Sequence, residues 1–420
     1  MLIYSTYNNH YSEISFEPDA YELRLDLCKD QFLIPEFFYK KNTILTLRDA
    51  SEGGNYKGCI KKKLNFYLDI LKNTSFFVDI EVKYLDNCQE FDSFYDRIIW
   101  SQHCNLNVPT TTVPIQKYVY PIDTLLEQCK LSNKYFCLLS SGKTSLISRL
   151  LYKHFGSKAV YFGKEGYETA AGQLTDNDVL LYNLKTINKE TIIGGILGGE
   201  QIINSIGLKF YNNYFKQNNI NAVYLPFINP DLNDFISFVK DSGFRFYGFS
   251  ITMPYKKKLS ELLKIDKEII NLWIPSSNEV DCTDETAFIQ AFSILDITKD
   301  TPIILYGKGA MAQIVKKLLP DNIIYSVARD NIVPDIDKNI PVAVINATPQ
   351  IDLIPNNLLI HSVIDLPYSN NSTAIIDYCI ENNVPHIDGV SFWKIQAEKQ
   401  LYAFCDNMYT TSGRRGGTIV

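Results

Sequence analysis

Three consecutive lysines, Lys256, Lys257 and Lys258, close the stretch GFSITMPYKKK at 248–258, directly behind an apolar run and a proline. Such a cluster is either the solvated start of a helix or the place where one ammonium is held for a chemical step. Neighbouring helix positions point in different directions, so the three cannot all serve one site. A second candidate is LYGKGAMAQ at 305–313. Gly307 and Gly309 would let the backbone approach a pyrophosphate at the start of a following helix, with Ala310 standing at the third glycine position. The same two glycines also suit a plain tight turn between strand and helix. Arg329 falls at the end of the next apolar run, where a guanidinium suits a ribose 2′-phosphate, as in NADP; Asp330 beside it suits the free hydroxyl of NAD. SSGKTS at 140–145 imitates a triphosphate-binding loop but lacks its full glycine spacing. Five histidines, at 10, 103, 154, 361 and 386, show no metal-ligand spacing.

The elements that would position these residues alternate. Eight short apolar runs read as strands: 1–6, 20–27, 42–49, 75–82, 96–103, 115–120, 134–141 and 158–163. Helical patterns such as IKKKLNFYLDIL (60–71) and LISRLLYKHF (146–155) lie between some of them. This order predicts a shortened (β/α)₈ barrel, since the gaps after the first and fifth runs are too short for a full crossover helix. A new unit begins near 184–199, with a strand at 222–227, a helix at 231–243 and a strand at 244–254. A further strand, glycine turn, helix and strand from 301 onward form a Rossmann-like βαβ segment.

Composition narrows the function classes. The chain has 420 residues, 46% hydrophobic, 21% charged, with a net charge of −6. That length is enough for two or three cores, and the balance supplies no broad basic surface for nucleic acid. Mean hydropathy is −0.09, and no apolar run reaches membrane-spanning length. Nine cysteines form no C-x-x-C pair. Together with the lack of a leader segment at the N-terminus, they fit the reduced thiols of a cytoplasmic enzyme.

Two sets of motifs then resemble two enzyme families joined head to tail. GFSITMPYK (248–256), SSNEV (276–280), CTDETAF (282–288), NATP (346–349) and DGVSFWKIQAEKQLYAF (388–404) resemble shikimate dehydrogenase. ELRLD (22–26), LTLRDASEGG (45–54), DIE (79–81), SQH (101–103), SLISRLLYKHFGS (145–157) and AAGQLTDND (170–178) resemble type I 3-dehydroquinate dehydratase. Fusions of this kind are known in plants and chlamydia-like bacteria. The resemblance implies a barrel over 1–187, a dehydrogenase substrate domain over 188–288 completed by 391–410, and an NADP-binding domain over 289–390.

The resemblance also implies roles. In the dehydrogenase half it makes Lys256 the catalytic amine and Asp284 its partner. Ser205, Asn278 and Gln396 become substrate contacts, and Gly307, Gly309, Ala310, Arg329, Asn346 and Thr348 cofactor contacts. Gly207 stands where the family has a second serine, and Glu285 where it has a glycine. In the dehydratase half it assigns the Schiff-base lysine to Lys117, with Lys134 and Lys143 as the other candidates. His103 becomes the proton-transfer group, oriented by Glu52. Glu22, Arg24, Arg48, Arg149, Thr169 and Gln173 become substrate contacts. An imine that takes up electrons explains why such chemistry needs an amine, and a neighbouring imidazole can move the protons.

The activity so implied is bifunctional: 3-dehydroquinate to 3-dehydroshikimate, then reduction to shikimate with NADPH. The alternatives are a dehydrogenase carrying an inactive barrel as scaffold, and a non-enzymatic binder of shikimate-like ligands. No metal, nucleic acid or membrane partner is expected, and self-association stays open.

Overall fold

A computed structural model describes residues 1–8, 11, 14–103, 113–131, 135–327, 337, 339–353, 358–367 and 372–411, the last three of these as backbone. The chain packs as two units, one of residues 1–196 and 200–246, the other of 197–199 and 247 onward.

The first unit begins with β1 (Leu2–Thr6), β2 (Ala20–Arg24), β3 (Thr43–Thr46), α1 (Ile60–Asn73), β4 (Phe77–Glu81), β5 (Ile98–His103) and β6 (Gln116–Tyr120). It continues with α2 (Leu125–Leu131), β7 (Cys137–Ser140), α3 (Ser145–Leu150), β8 (Val160–Gly163), β9 (Leu174–Thr175) and α4 (Asp176–Leu181). All eight expected strands are present, and β9 is an addition. Hydrogen bonding runs β7-β6-β5-β4-β3-β2-β1-β8-β9. Each strand thus lies beside its sequence neighbour and β8 beside β1, the ring order of a (β/α)₈ barrel. The seam lies between β7 and β8. It is joined at the strand starts, where the Lys158 amide donates to the Phe136 carbonyl at 2.7 Å and Ser157 Oγ accepts from the Leu138 amide at 2.9 Å.

Some crossovers are reduced; the gaps after the first and fifth strands, expected to be too short for a helix, lie partly outside the described residues. Short 3₁₀ turns at Glu36–Lys40, Val82–Asn87 and Gln89–Arg97 stand where full helices would follow β2 and β4. Where a real helix forms, its period explains it: Leu64, Tyr67, Leu68 and Leu71 of α1 recur at three- and four-residue spacing and are all buried. The unit ends with β10 (Ile192–Gly198), α5 (Ile206–Gln217), β11 (Ala222–Ile228) and α6 (Leu232–Asp241). Asp231 caps α6 by accepting from the Asn233 and Asp234 amides. The face of α6 presents Phe238 to Phe155, which follows α3, with ring centroids 6.4 Å apart.

The second unit takes up the chain within β12 (Phe246–Ile251), then α7 (Tyr255–Leu263), β13 (Leu272–Ile274), β14 (Glu279–Asp281) and α8 (Thr283–Ile294). Strands β12, β13 and β14 pair antiparallel. After them come β15 (Ile303–Tyr306), α9 (Ala310–Leu318), β16 (Ile324–Val327), β17 (Val342–Asn346), β18 (Ile360–Asp365), α10 (Ala374–Glu381), β19 (His386–Ile387) and α11 (Gly389–Thr411). The last five strands form a parallel sheet in the order β16-β15-β17-β18-β19. The order reverses at β15, and such a switch point opens a crevice outside the strand ends. Phe288 and Phe292 of α8 and Phe392 of α11 share one apolar core with Leu305 and Ile345 of this sheet. Among the described residues no helix is long and apolar enough to cross a membrane.

Candidate active sites

Strand alternation builds the polar interior of the barrel. Side chains two apart share a face, and the pairs Glu22/Arg24, Asp79/Glu81 and Ser101/His103 each lie at such spacing on β2, β4 and β5. Parallel register sets Lys117 of β6 beside Ser101 of β5, with His103 two residues further on. Lys117 Nζ lies 3.1 Å from Asp79 Oδ2 and 3.5 Å from Glu22 Oε1, and 3.9 Å from the centre of the Tyr161 ring. Arg48 donates to Asp79 Oδ1 at 2.7 Å and to Ser101 Oγ at 2.6 Å. Asp79 is fully buried; burial opposes its charge, yet Arg48 and Lys117 hold it ionised, well below the usual carboxylate range. Glu22 accepts from Thr46 at 2.8 Å and from Ser5, whose hydroxyl lies 2.6 Å from that of Thr169.

His103 and Glu52 meet at the same end of the ring. The His103 amide donates to Glu52 Oε2 at 3.1 Å, and its Nδ1 lies 3.3 Å from the same oxygen. Burial, then the Arg48 and Lys117 cations, hold the imidazole well below its ordinary 6.5, so it is neutral at pH 7. Burial drives the Glu52 carboxyl up to about 7, against the pull of Arg48. Arg24 forks onto Asp26 with bonds of 2.9 and 2.8 Å and reaches the Thr169 carbonyl at 2.8 Å. Gln173 Oε1 accepts from the Thr169 amide at 2.7 Å. Arg149 spends one nitrogen on the Ser140 carbonyl and on Ser145. Burial lowers this guanidinium to about 10, and among the described residues no carboxylate pairs with it. Lys143 lies exposed in a turn, and Lys134 lies outside the described residues.

Sequence reasoning passed over two members of this lining. Asp79 stands in the quoted DIE but received no role, although it touches both Arg48 and Lys117. Lys63 reads as one of three surface lysines on α1, yet it is fully buried, 2.8 Å from Asp49 Oδ1 and 2.5 Å from Glu81 Oε2. Its position four before Tyr67 on the apolar face is the signal that could have found it. Replacing Lys63 with methionine leaves Glu81 buried without this partner, and the expected loss is about 3–5 kcal/mol. Urea unfolding of the variant checks this, and an unchanged midpoint contradicts it.

The second unit holds a separate cluster. Lys256 sits in the first turn of α7, behind Pro254, and its Nζ donates to Asp284 Oδ2 at 2.5 Å. Met311 Sδ lies 3.9 Å from the same nitrogen. Lys257 instead pairs with Glu268 at the surface, so the three lysines do diverge. Gln396 joins a buried amide group, its Oε1 accepting from Asn271 Nδ2 at 3.3 Å and from Thr283 Oγ1 at 3.1 Å. Asn278, expected among the substrate contacts, is not part of this group. It lies exposed in the turn between β13 and β14 at φ +54°, a conformation asparagine tolerates there. Asn271, just before β13, is the asparagine that joins the group. Ser205 belongs to the first unit, where it caps α5 by accepting from the Gly207 amide at 3.2 Å.

The glycine turn follows β15. Gly307 has φ +113°, and a Cβ there would fall 2.7 Å from the Ala347 carbonyl, so only glycine fits. A Cβ at Gly309, the residue before α9, would meet nothing within 4 Å, leaving that approach open. Asn346 is fully buried and its side chain is wholly engaged: it donates to Asp365 and the Gln350 carbonyl and accepts from the Thr348 amide and hydroxyl. It therefore shapes the turn expected to meet the cofactor, with all four of its side-chain hydrogen-bonding positions used within the protein. Thr348 hangs on it at 2.7 Å. Arg329 lies outside the described residues.

Comparison with known proteins finds two matches, and the second runs across the boundary between the two units. Residues 5–124 match the type I 3-dehydroquinase family, and residues 197–269 match the shikimate dehydrogenase substrate binding domain. The 3-dehydroquinate dehydratase of Methanococcus maripaludis strain C7 is 28% identical, covering 37% of this chain and 83% of its own. A shikimate dehydrogenase (NADP(+)) of Alkaliphilus oremlandii is 26% identical, covering 46% of this chain and 72% of its own. A solved dehydroquinate dehydratase and shikimate dehydrogenase from S. pombe aligns with 97% of this chain and 98% of its own at 17% identity and a TM-score of 0.40. Two matches thus follow one another on one chain, the first similar to type I 3-dehydroquinase and the second to the substrate binding domain of shikimate dehydrogenase.

Proposed function

We propose that the chain carries out two consecutive steps, dehydration of 3-dehydroquinate to 3-dehydroshikimate in the barrel and reduction of that product to shikimate in the second unit, with NADP(H) as cofactor. The observation that carries the reading is that each unit sets a largely enclosed lysine against a carboxylate, Lys117 buried and Lys256 half-buried, among other polar groups suited to its step. In the barrel the Lys117 amine adds to the substrate ketone and water leaves, giving a protonated imine. Neutral His103 removes a proton from the adjacent carbon, and the electrons enter the imine. Loss of the hydroxyl one carbon further, with a proton, forms the double bond, and hydrolysis returns the amine. Arg149 suits the substrate carboxylate, which its planar fork can hold at two points. Arg24, Gln173 and Thr169 tie the 169–173 loop over the mouth.

In the second unit the Lys256–Asp284 pair holds the substrate hydroxyls and supplies the proton that the new alkoxide needs. NADPH supplies the hydride when bound. The open approach at Gly309 and the tight turn at Gly307 suit its pyrophosphate, and Thr348 is a further contact. The domain division behind this reading is 1–187, 188–288 with 391–410, and 289–390. A scaffold-only barrel is disfavoured by its interior, since an inert barrel has no use for so many buried charges.

The test is direct. The purified chain with 3-dehydroquinate alone should generate the conjugated enone of the product, and adding NADPH should then oxidise the cofactor. Absence of the first reaction removes the barrel's role, and absence of the second removes the dehydrogenase role. The pH dependence is expected to follow Glu52. Its ionised form, populated above about pH 7, accepts from His103 and orients it as a base, so dehydration should decline as pH falls through about 7. In Glu52→Gln the rate is lower, but that inflection should disappear, because His103 stays neutral far below it. A kcat/KM profile that keeps its limb near 7 in the variant rejects the assignment.

A further inference from the structure

Five polar side chains of the second unit, Ser250, Asn271, Thr283, Gln396 and Gln400, are buried together, none more than 8% exposed. Two main-chain groups fix which end of each side-chain amide faces which partner, while the Thr283 hydroxyl lies 3.1 Å from both Gln396 Oε1 and Asn271 Oδ1. The Asn271 carbonyl can only accept, so the group 3.0 Å from it must be the Gln400 amide nitrogen. Gln400 Oε1 then faces Ser250, whose hydroxyl donates to it at 2.6 Å, and its Nε2 also donates to Thr283 Oγ1 at 3.2 Å. The Thr283 amide can only donate, so the atom 2.7 Å from it must be Asn271 Oδ1. Asn271 Nδ2 is thereby turned to Gln396 Oε1, at 3.3 Å. With its oxygen engaged, also by Thr283 Oγ1 at 3.1 Å, Gln396 has its Nε2 outside the group.

We infer that Gln400 is a positioning residue: by holding Thr283 and the Asn271 backbone, it locks the amides of Asn271 and Gln396 so that both offer N–H donors to the substrate. This rests on the dehydrogenase reading above and deepens it. Thr283 immediately precedes Asp284, and the Ile270 amide donates to the Lys256 carbonyl at 3.2 Å, so the group is continuous with the Lys256–Asp284 pair. Substrate oxygens that accept are recognised, and a ligand lacking those hydroxyls leaves two buried donors unmatched. Gln400 touches neither substrate nor cofactor in this scheme. It sets which end of each amide faces them.

The full chain with saturating NADP⁺ and varied shikimate tests the lock. Gln400→Leu should raise the KM for shikimate about tenfold while kcat changes by less than about threefold, the pattern of binding lost equally in ground and transition states. Thr283→Val should shift KM in the same direction, and Thr283→Ser, which keeps the hydroxyl, should recover much of the loss. The KM for NADP⁺ reports whether each variant is folded around its cofactor. An unchanged shikimate KM in a folded Gln400→Leu overturns the proposal. Should the wild-type chain not oxidise shikimate at all, the functional reading fails instead. The lock is then read from the side-chain amide resonances of the ¹⁵N-labelled protein. Slow hydrogen exchange at the Asn271 amide in the wild type, quickened in Gln400→Leu, supports it. Exchange as fast as a surface asparagine in the wild type overturns it whether or not the variants fold.

Discussion

Replacing Lys117 with alanine should reduce dehydration on the order of 10⁴-fold or more, because in the proposed mechanism this amine forms the covalent imine. The geometry that supports this choice is local. It is buried, held between Asp79 and Glu22, with Tyr161 beneath it. In register it lies level with Ser101, two positions below His103. Borohydride added with 3-dehydroquinate should mass-label the peptide containing Lys117 in the wild type and leave the variant unlabelled. A label on Lys134 or Lys143 would sink the assignment. Reduction of 3-dehydroshikimate by the same variant should match the wild type within about twofold, since the two proposed sites share no residue.

The complementary substitution is Lys256→Met, which keeps most of the stem and removes the charge. Reduction of 3-dehydroshikimate should drop on the order of 10³-fold, the scale of a lost proton donor that also binds the substrate. Asp284 would lose the 2.5 Å bond that now fixes it. Steady-state assays of both reactions decide the matter: dehydration should be retained. A modest change in KM alone would show that Lys256 only binds.

Much of the barrel was legible because strand chemistry repeats every second residue. ELR, DIE and SQH each place a pair of functional groups on one face, and the eight apolar runs gave their order. The amide cluster was harder to see. NLWIPSSNEVD holds two asparagines, and only the hairpin register, pairing Leu272 with Asp281, tells which one lies at its base. The second follows proline and two serines, a turn composition that could have signalled exposure. Lys63 was hidden for a different reason: its helical spacing says buried, its charge says exposed, and only carboxylates brought from β4 and the segment after β3 resolve the conflict. Asn346 shows the converse, a residue whose type suggested a ligand contact but whose neighbours use all four of its hydrogen-bonding positions.

The ring's seam bears on how a substrate is admitted. Among the described residues, main-chain bonding between β7 and β8 is confined to the base, at Lys158 and Phe136. Parting those two strands at the rim therefore breaks no ladder bond, whereas parting any other neighbouring pair in the ring does. The side that carries Arg149 is thus, among the described residues, the one place in the ring where neighbouring strands can separate at the rim without losing main-chain pairing.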